Sequence, residues 1–410
     1  MRCVLLTGKG GGGTTTVAAA TATLAAQRGY RTLVVSVDPA AGLAGVLDHP
    51  LGPAEVELES GLFALQTDLR HAFAERWPRV RALIAAGLPD SGLDLDPLEV
   101  EELLRLPGAL EALTLLELRD RIRADRYDVV VVDAGPASAA LRLLASPETL
   151  AWGCRRLGPP DGALARWMRP GLPLPVPLSG RFVGRLAAMA GPAYEAVSGL
   201  AALAHEMRAL LADPAVTSVR LVLTPETSAL AQTRRTLGGL SLHGIGVDAV
   251  IVNRVIGQDG GDAWRAGWAA AHRDQLAEIA ELVAPLPVLA AAYRAGEPLG
   301  LEELAAFGAA AYDGRDPAAV LGTHRGEDGA TPRVERTESG YEMSFELPFV
   351  HRSEVDLARV GDDLVVSVGS DRRHVSLPAA LRRCDVLGAH LAEDRLTVSF
   401  VPDPAQWVRA

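Results

Sequence analysis

Thr7-Gly8-Lys9-Gly10-Gly11-Gly12-Gly13-Thr14-Thr15-Thr16 follows a short apolar run, Cys3-Val4-Leu5-Leu6, and opens into the Ala-rich stretch from Val17 to Gln27. The apolar run predicts a buried strand, the glycines a loop and the Ala-rich stretch a helix. A loop of this kind leaves successive backbone N–H groups clear of side chains and aims them, with the positive end of the helix dipole, at a phosphate. Its spacing is Gly8-x-x-x-x-Gly13-Thr14-Thr15, the phosphate-loop pattern except that Thr14 stands where a lysine belongs. The same glycines, as Gly8-x-Gly10-x-x-Gly13, also spell the dinucleotide fingerprint, and Asp38 closes the second strand where a ribose-binding acid would sit. A glycine hinge without a ligand is the plainest alternative, but it needs neither the strand before nor the helix after.

Composition singles out one cation and one amide. Lys9 is the only lysine in 410 residues although Lys and Arg together number 40, and Asn253 is the only asparagine. Arginine has replaced lysine wherever a generic positive charge suffices, so the lysine that remains marks a place where a compact ammonium on a flexible stem is needed. A crowded phosphate site, too tight for a guanidinium fork, is such a place.

Beyond the loop, strand signals at Arg31–Val37, Gly61–Thr67 and Arg126–Asp133 alternate with helical runs. That alternation predicts an α/β fold, a doubly wound and mostly parallel sheet with ligands outside the carboxyl ends of the strands. Asp38 and Asp133 both end strands and converge on the glycine loop. Two carboxylates there suit Mg²⁺ and an attacking water better than a nicotinamide. Strand-end acids that merely cap neighbouring helices are the structural alternative.

The loop resembles the deviant phosphate loop Lys-Gly-Gly-x-Gly-Lys-Thr-Thr of the ArsA-type ATPases, a family that includes arsenite-pump ATPases and targeting factors for tail-anchored membrane proteins. Ser36-Val37-Asp38-Pro39-Ala40 is similar to the family's first switch, and Leu106-Pro107-Gly108 to its Pro-Gly element. Val129 through Pro136, with Leu141-Arg142-Leu143-Leu144 and Pro147, resembles a worn second switch. Thr224-Pro225-Glu226 and Val250-Ile251-Val252-Asn253-Arg254 resemble later strands. The resemblance covers residues 1–313 and implies ATP and Mg²⁺ as ligands and a homodimer as the working form. It implies that Gly8, Lys9, Gly10, Gly11, Gly12, Gly13, Thr14, Thr15 and Thr16 surround the phosphates and that Thr15 and Asp133 serve the metal, the latter through water. It further implies that Asp38 polarises the attacking water, Lys9 reaches the partner's phosphates, Gly135 senses the γ-phosphate and Asn253 reads adenine. Thr14 departs from the family by removing the in-loop lysine. A charge-assisted hydrogen bond of that kind contributes about 1.5–3 kcal/mol, so slow hydrolysis is expected. Ala137, Ser138 and Ala139 replace the second switch's Thr, Gly and His.

Residues 148–212 read as a helical insertion, the family's client-groove region, here broken by prolines from Pro159 to Pro177. Trp152, Trp167, Met168, Met189 and Met207 there favour core packing or a dimer contact over an apolar groove. Helix signals resume at Ala263–Leu282 and Leu301–Tyr312. Residues 314–331 form a Gly/Asp/Ala-rich linker with a coil span on the order of 25 Å. Residues 332–401 alternate in the manner of an antiparallel β-sandwich and resemble the α-crystallin-type module of small heat-shock proteins, a binder of protein clients or a packing module.

The net charge of -11 and pI near 5.4 argue against nucleic acid. Three scattered cysteines predict a reducing, cytoplasmic setting, and no apolar run suggests membrane insertion. The functional expectation is an ATP-dependent switch handling protein clients. A catalytically inactive scaffold is the alternative. An energising subunit of an anion or arsenite pump is weaker, because neither a Cys-x-x-Cys pair nor a thiolate trio is present.

Overall fold

The computed structural model describes residues 1–38, 42–75, 108–157, 198–257, 262–323 and 332–405. The chain divides into two compact units, one of Met1–Thr67, Arg121–Leu144 and Leu211–Ala410, the other of Asp68–Asp120 and Ala145–Leu210.

The first unit is built on an eight-stranded sheet. Its strands are β1 (Arg2–Gly8), β2 (Thr32–Ser36), β3 (Val56–Glu59), β4 (Leu62–Gln66), β5 (Val129–Pro136), β6 (Thr217–Leu223), β7 (Val247–Val255) and β8 (Val288–Ala292), in the order β3-β4-β2-β5-β1-β6-β7-β8. All neighbours are parallel except the β3–β4 pair at one edge. Strand β3 is unforeseen in the sequence because its four residues carry no fully buried face.

Strands β1 and β6 are buried along their whole length, as central strands of a parallel sheet covered on both faces are, although β6 carries Thr217, Ser218 and Arg220 among its apolar residues. Helix α1 (Thr14–Gln27) lies on the sheet, and its small residues let a neighbour approach closely. A Cβ on Gly308, in α7 (Gly300–Tyr312), would stand 2.8 Å from the Ala20 carbonyl oxygen. The other helices of the described residues include α2 (Leu43–Leu47), α3 (Ala109–Arg123), α4 (Ala137–Leu157), α5 (Thr227–Leu242) and α6 (Ala263–Val283).

One buried charge organises the far edge. Arg220 is wholly buried and has all five N–H groups satisfied. Nε and Nη2 reach the two Asp248 oxygens at 3.0 and 3.1 Å, Nη1 reaches Tyr312 Oη at 2.9 Å and Pro317 O at 2.7 Å, and Nη2 also reaches Ala319 O at 2.8 Å. The opening part of the stretch expected to be a free linker is therefore tied to the sheet, because its carbonyls complete the shell of a buried guanidinium.

The same unit carries a sandwich of two antiparallel sheets. One has the order β14 (Cys384–Ala392), β15 (Arg395–Pro402), β10 (Tyr341–Glu346), β9 (Arg333–Arg336); the other is β11 (Val355–Val360), β12 (Asp363–Val368), β13 (Asp371–Ser376). Met343, Phe345, Leu364, Val366, Val398 and Phe400 fill the space between them. Strands β9 and β14, almost wholly exposed, escape sequence reading because edge strands need no buried face.

In the second unit, Glu148 pairs with Arg208 at 2.9 Å and Ala72 packs on Leu113. Met207 is buried there. Trp167, Met168, Met189 and the prolines from Pro159 to Pro177 lie outside the described residues, as do Pro39, Ala40, Leu106 and Pro107. Among the described residues no helix is long and apolar enough to cross a membrane.

Candidate functional site

The glycine loop joins β1 to α1 at the carboxyl edge of the sheet, and its residues differ in why they are glycine. A Cβ at residue 8 would fall 1.7 Å from the Val222 carbonyl oxygen, so Gly8 is fixed by the packing of β1 against β6. Gly13 has φ 88° and would place a Cβ 2.3 Å from Asn253 Nδ2. At Gly10 and Gly11 a Cβ would meet nothing within 4 Å. The loop is closed towards the protein and open on its outer side, which is the arrangement a phosphate requires.

Gly13 is the N-cap of α1 and no side chain caps this end. The first N–H groups of α1 therefore face outward with the positive end of the helix dipole. Thr14 is buried and Thr15 half-buried. The Thr15 hydroxyl hydrogen-bonds to the Asp133 carboxylate, which also accepts from Ser36 Oγ at 3.3 Å and Gly135 N–H at 3.3 Å. Burial pushes the Asp133 carboxyl up, and the Thr15, Gly135 and Ser36 hydrogen bonds oppose this. Asp38 lies over Gly135, its Oδ2 2.6 Å from where a Cβ would project, and Gly135 itself has φ 65°. Thr7 Oγ1 donates to the Gly135 carbonyl at 2.8 Å. Thr15, Asp133, Asp38 and Gly135 thus meet in one corner at the start of α1.

Asn253, at the end of β7, is buried; its Nδ2 donates to Gly12 O at 3.0 Å and its Oδ1 accepts from Arg254 N–H at 2.8 Å. One amide N–H and one oxygen lone pair remain, the donor–acceptor pair that a base edge needs. Beside it opens a cavity of about 410 Å³ lined by Gly13, Thr16, Asn253, Tyr293, Pro298 and Leu299 among others.

Lys9 does not turn back over its own loop. Its Nζ lies 2.6 Å from Glu226 Oε2 and 3.1 Å from Ser228 Oγ. The Lys9 hydrogen bond holds the Glu226 carboxyl below the usual carboxylate range. The sequence contained Glu226 within a recognisable motif but gave no sign that it meets Lys9, 217 positions away.

The residues present fit a nucleoside triphosphate with Mg²⁺: an uncapped helix start behind an open glycine loop, a buried carboxylate bonded to a threonine hydroxyl, and an amide with a free donor–acceptor pair beside a cavity. The described residues hold no group of three or more His, Cys, Asp or Glu arranged for a metal. Cys3, Cys154 and Cys384 are buried free thiols.

Sheet, loop and site together define a P-loop type α/β protein with a deviant loop. Within that class the comparisons are specific: the family model for anion-transporting ATPases matches residues 1–313, and that for the HSP20-like domain found in ArsA matches residues 338–400. The chain belongs to the ArsA family of anion-transporting ATPases. It is 39% identical to an uncharacterized protein of Streptomyces coelicolor over 415 residues, all of both chains. It is 31% identical to the "Putative arsenical pump-driving ATPase" of Chlorobaculum tepidum, over 93% of this chain and 91% of that one. A Mycobacterium tuberculosis protein is 32% identical over 99% of this chain and 97% of its own.

Proposed function

We propose that this protein binds ATP with Mg²⁺ and works as a cytoplasmic homodimeric switch that hydrolyses ATP slowly and handles protein clients. The observation that carries this reading is the meeting of Asp38, Gly135, Asp133 and Thr15 at the open side of the glycine loop. Backbone N–H groups from Gly10 to Thr15 face the phosphates, apart from that of Gly12, which donates to the Lys9 carbonyl at 2.9 Å. Thr15 and Asp133 are the residues that would hold Mg²⁺, which supplies neutralisation of phosphate charge when bound. Asp38 orients the attacking water and accepts its proton. The free amide positions of Asn253 read the base. The HSP20-like domain supports a client that is a protein.

Thr14 and the Lys9–Glu226 ion pair favour a second reading, a nucleotide-binding scaffold without turnover. A role in anion transport, which the name of the Chlorobaculum relative suggests for that protein, is weakened here by the separation of three buried thiols. Phosphate release with Mg-ATP, compared between wild type and Asp38→Asn, tests the proposal. A slow rate that falls at least tenfold in the variant supports the switch. Equal background rates leave the scaffold, and no binding of a fluorescent ATP analogue removes both.

A further inference from the structure

Glu226 is the N-cap residue of α5, yet its carboxylate makes no capping hydrogen bond; it bonds Lys9 instead, with the Thr224 and Ser228 side chains as further partners. Ser228, in the first turn of the same helix, supplies the second contact. The sole lysine is thus fastened to the start of α5, away from the phosphate side of its own loop.

The far end of α5 is fastened to the HSP20-like domain. Leu242, the last residue of the helix, is fully buried within that domain's apolar core, and its carbonyl accepts from Arg373 Nη1 at 2.8 Å. A Cβ on Gly238 would lie 3.1 Å from Val350 and 3.4 Å from Val368; one on Gly239 would lie 3.1 Å from Asp371 Oδ2. The glycines let this end of α5 approach Val368 of β12 and Asp371 of β13 closely, with little room for a side chain. A helix of 16 residues spans about 24 Å and transmits a displacement as a rigid body. Beside it lies a crevice of about 1000 Å³, bounded by Leu230 and Arg234 of α5, Glu278 and Leu282 of α6, and Val350 and His351. The helix therefore has packing to push on at one end and an open crevice along one flank.

We propose that Glu226 and Ser228 are positioning residues that park Lys9 in the resting protein, and that α5 carries its release to the HSP20-like domain. This rests on the reading that Lys9 engages nucleotide phosphates. An ammonium drawn to phosphate must leave the Glu226 carboxylate, which is then free to turn onto the uncapped N–H groups of α5. Occupancy of the phosphate site becomes a change at β12 and β13, and contacts on the HSP20-like domain bias Lys9 in return.

The test uses the full chain. Lys9 is the only ε-amine, so its acylation by acetic anhydride can be followed at one site by mass spectrometry, alongside hydrogen exchange across Asp363–Ser376. In nucleotide-free protein, Glu226→Gln is expected to raise Lys9 acylation roughly two- to fivefold, the range in which exposed ion pairs act. It is also expected to move exchange in β12 and β13 in the direction that Mg-ATP moves the wild type, with Glu226→Asp restoring wild-type behaviour. Should Glu226→Gln lack a native circular dichroism melt, Ser228→Ala gives the same two comparisons. Unchanged acylation in the variant overturns the parking contact. Exchange that responds to ATP but not to the variant, or to neither, overturns the relay. Failure of the nucleotide reading looks different: the variant frees Lys9 and shifts β12 and β13, while a fluorescent ATP analogue does not bind at any concentration.

Discussion

Asn253 backs the glycine loop directly: its Nδ2 donates to the Gly12 carbonyl at 3.0 Å and stands where a side chain on residue 13 would begin, 2.3 Å from an ideal Cβ. A left-handed backbone at φ 88° adds a penalty of roughly 1–2 kcal/mol for any L side chain there. Gly13→Ala should therefore weaken binding of a fluorescent ATP analogue more than tenfold. Asn253→Ala should lose about 0.5–1.5 kcal/mol of stability in urea unfolding, for the hydrogen bond to Gly12. It should also bind the analogue about tenfold more weakly, near 1.4 kcal/mol. Wild-type affinity in Asn253→Ala would remove the base-reading role.

Thr14 marks the departure from a complete phosphate loop. Thr14→Lys restores a charge-assisted contact of about 1.5–3 kcal/mol, so affinity for ATP should rise by one to two decades in the same titration. Phosphate release should rise as well, since charge building on the transferring phosphoryl group is greatest in the transition state. Tighter binding without faster release would place the turnover defect elsewhere, at the worn second switch.

Arg220 offers a test of the frame around the site. Removing its side chain leaves Asp248 buried, with Arg2 Nη2 at 3.4 Å as its cationic partner among the described residues, and strands the Pro317 and Ala319 carbonyls. Arg220→Ala should cost about 3–5 kcal/mol in chemical denaturation, the range for breaking a buried pair from one side. Proteolysis should also begin to cut within residues 313–323. A loss below about 1 kcal/mol would show that the network is dispensable.

Asp128 makes a pH-dependent contribution. Hydrogen bonds from the Arg31 side chain, then from its backbone N–H, pull the Asp128 carboxyl down to about 2. The folded value lies below the unfolded one, so the stabilisation is complete above the ordinary carboxylate range near 4 and fades as pH falls towards 2. Both side chains are exposed, which limits the effect to about 0.5–1 kcal/mol. Asp128→Asn should show that deficit in urea at pH 7, and the gap to wild type should narrow as pH falls from about 5 towards 3. A gap that stays constant with pH would assign the effect to packing.

Some of this protein is legible residue by residue. The β1–loop–α1 unit follows from an apolar run, a block of glycines and an Ala-rich stretch, each a short-range pattern. The same means put Asp38 just past β2 and Asp133 at the end of β5, where the strand in fact runs on to Pro136, and parallel topology sets both beside the loop. Tyr341–Leu347 and Arg395–Phe400 alternate strongly enough to be read as strands. The edge strands β9 and β14 could not be read this way, because almost wholly exposed strands impose no alternation on their residues.

Alone, the sequence determined that a glycine loop opens a parallel α/β sheet and that one lysine and one asparagine carry special weight, since local pattern and composition record which face a residue needs buried and which residue types cannot be exchanged. Only the tertiary structure decided that Lys9 meets Glu226, that Asn253 props Gly12, that Arg220 gathers carbonyls from a segment that looked free, and that α5 joins the loop's lysine to the β-sandwich. Those relationships are pairings through space between positions far apart in the chain, and periodicity along the chain holds no information about which distant partner a buried charge will find.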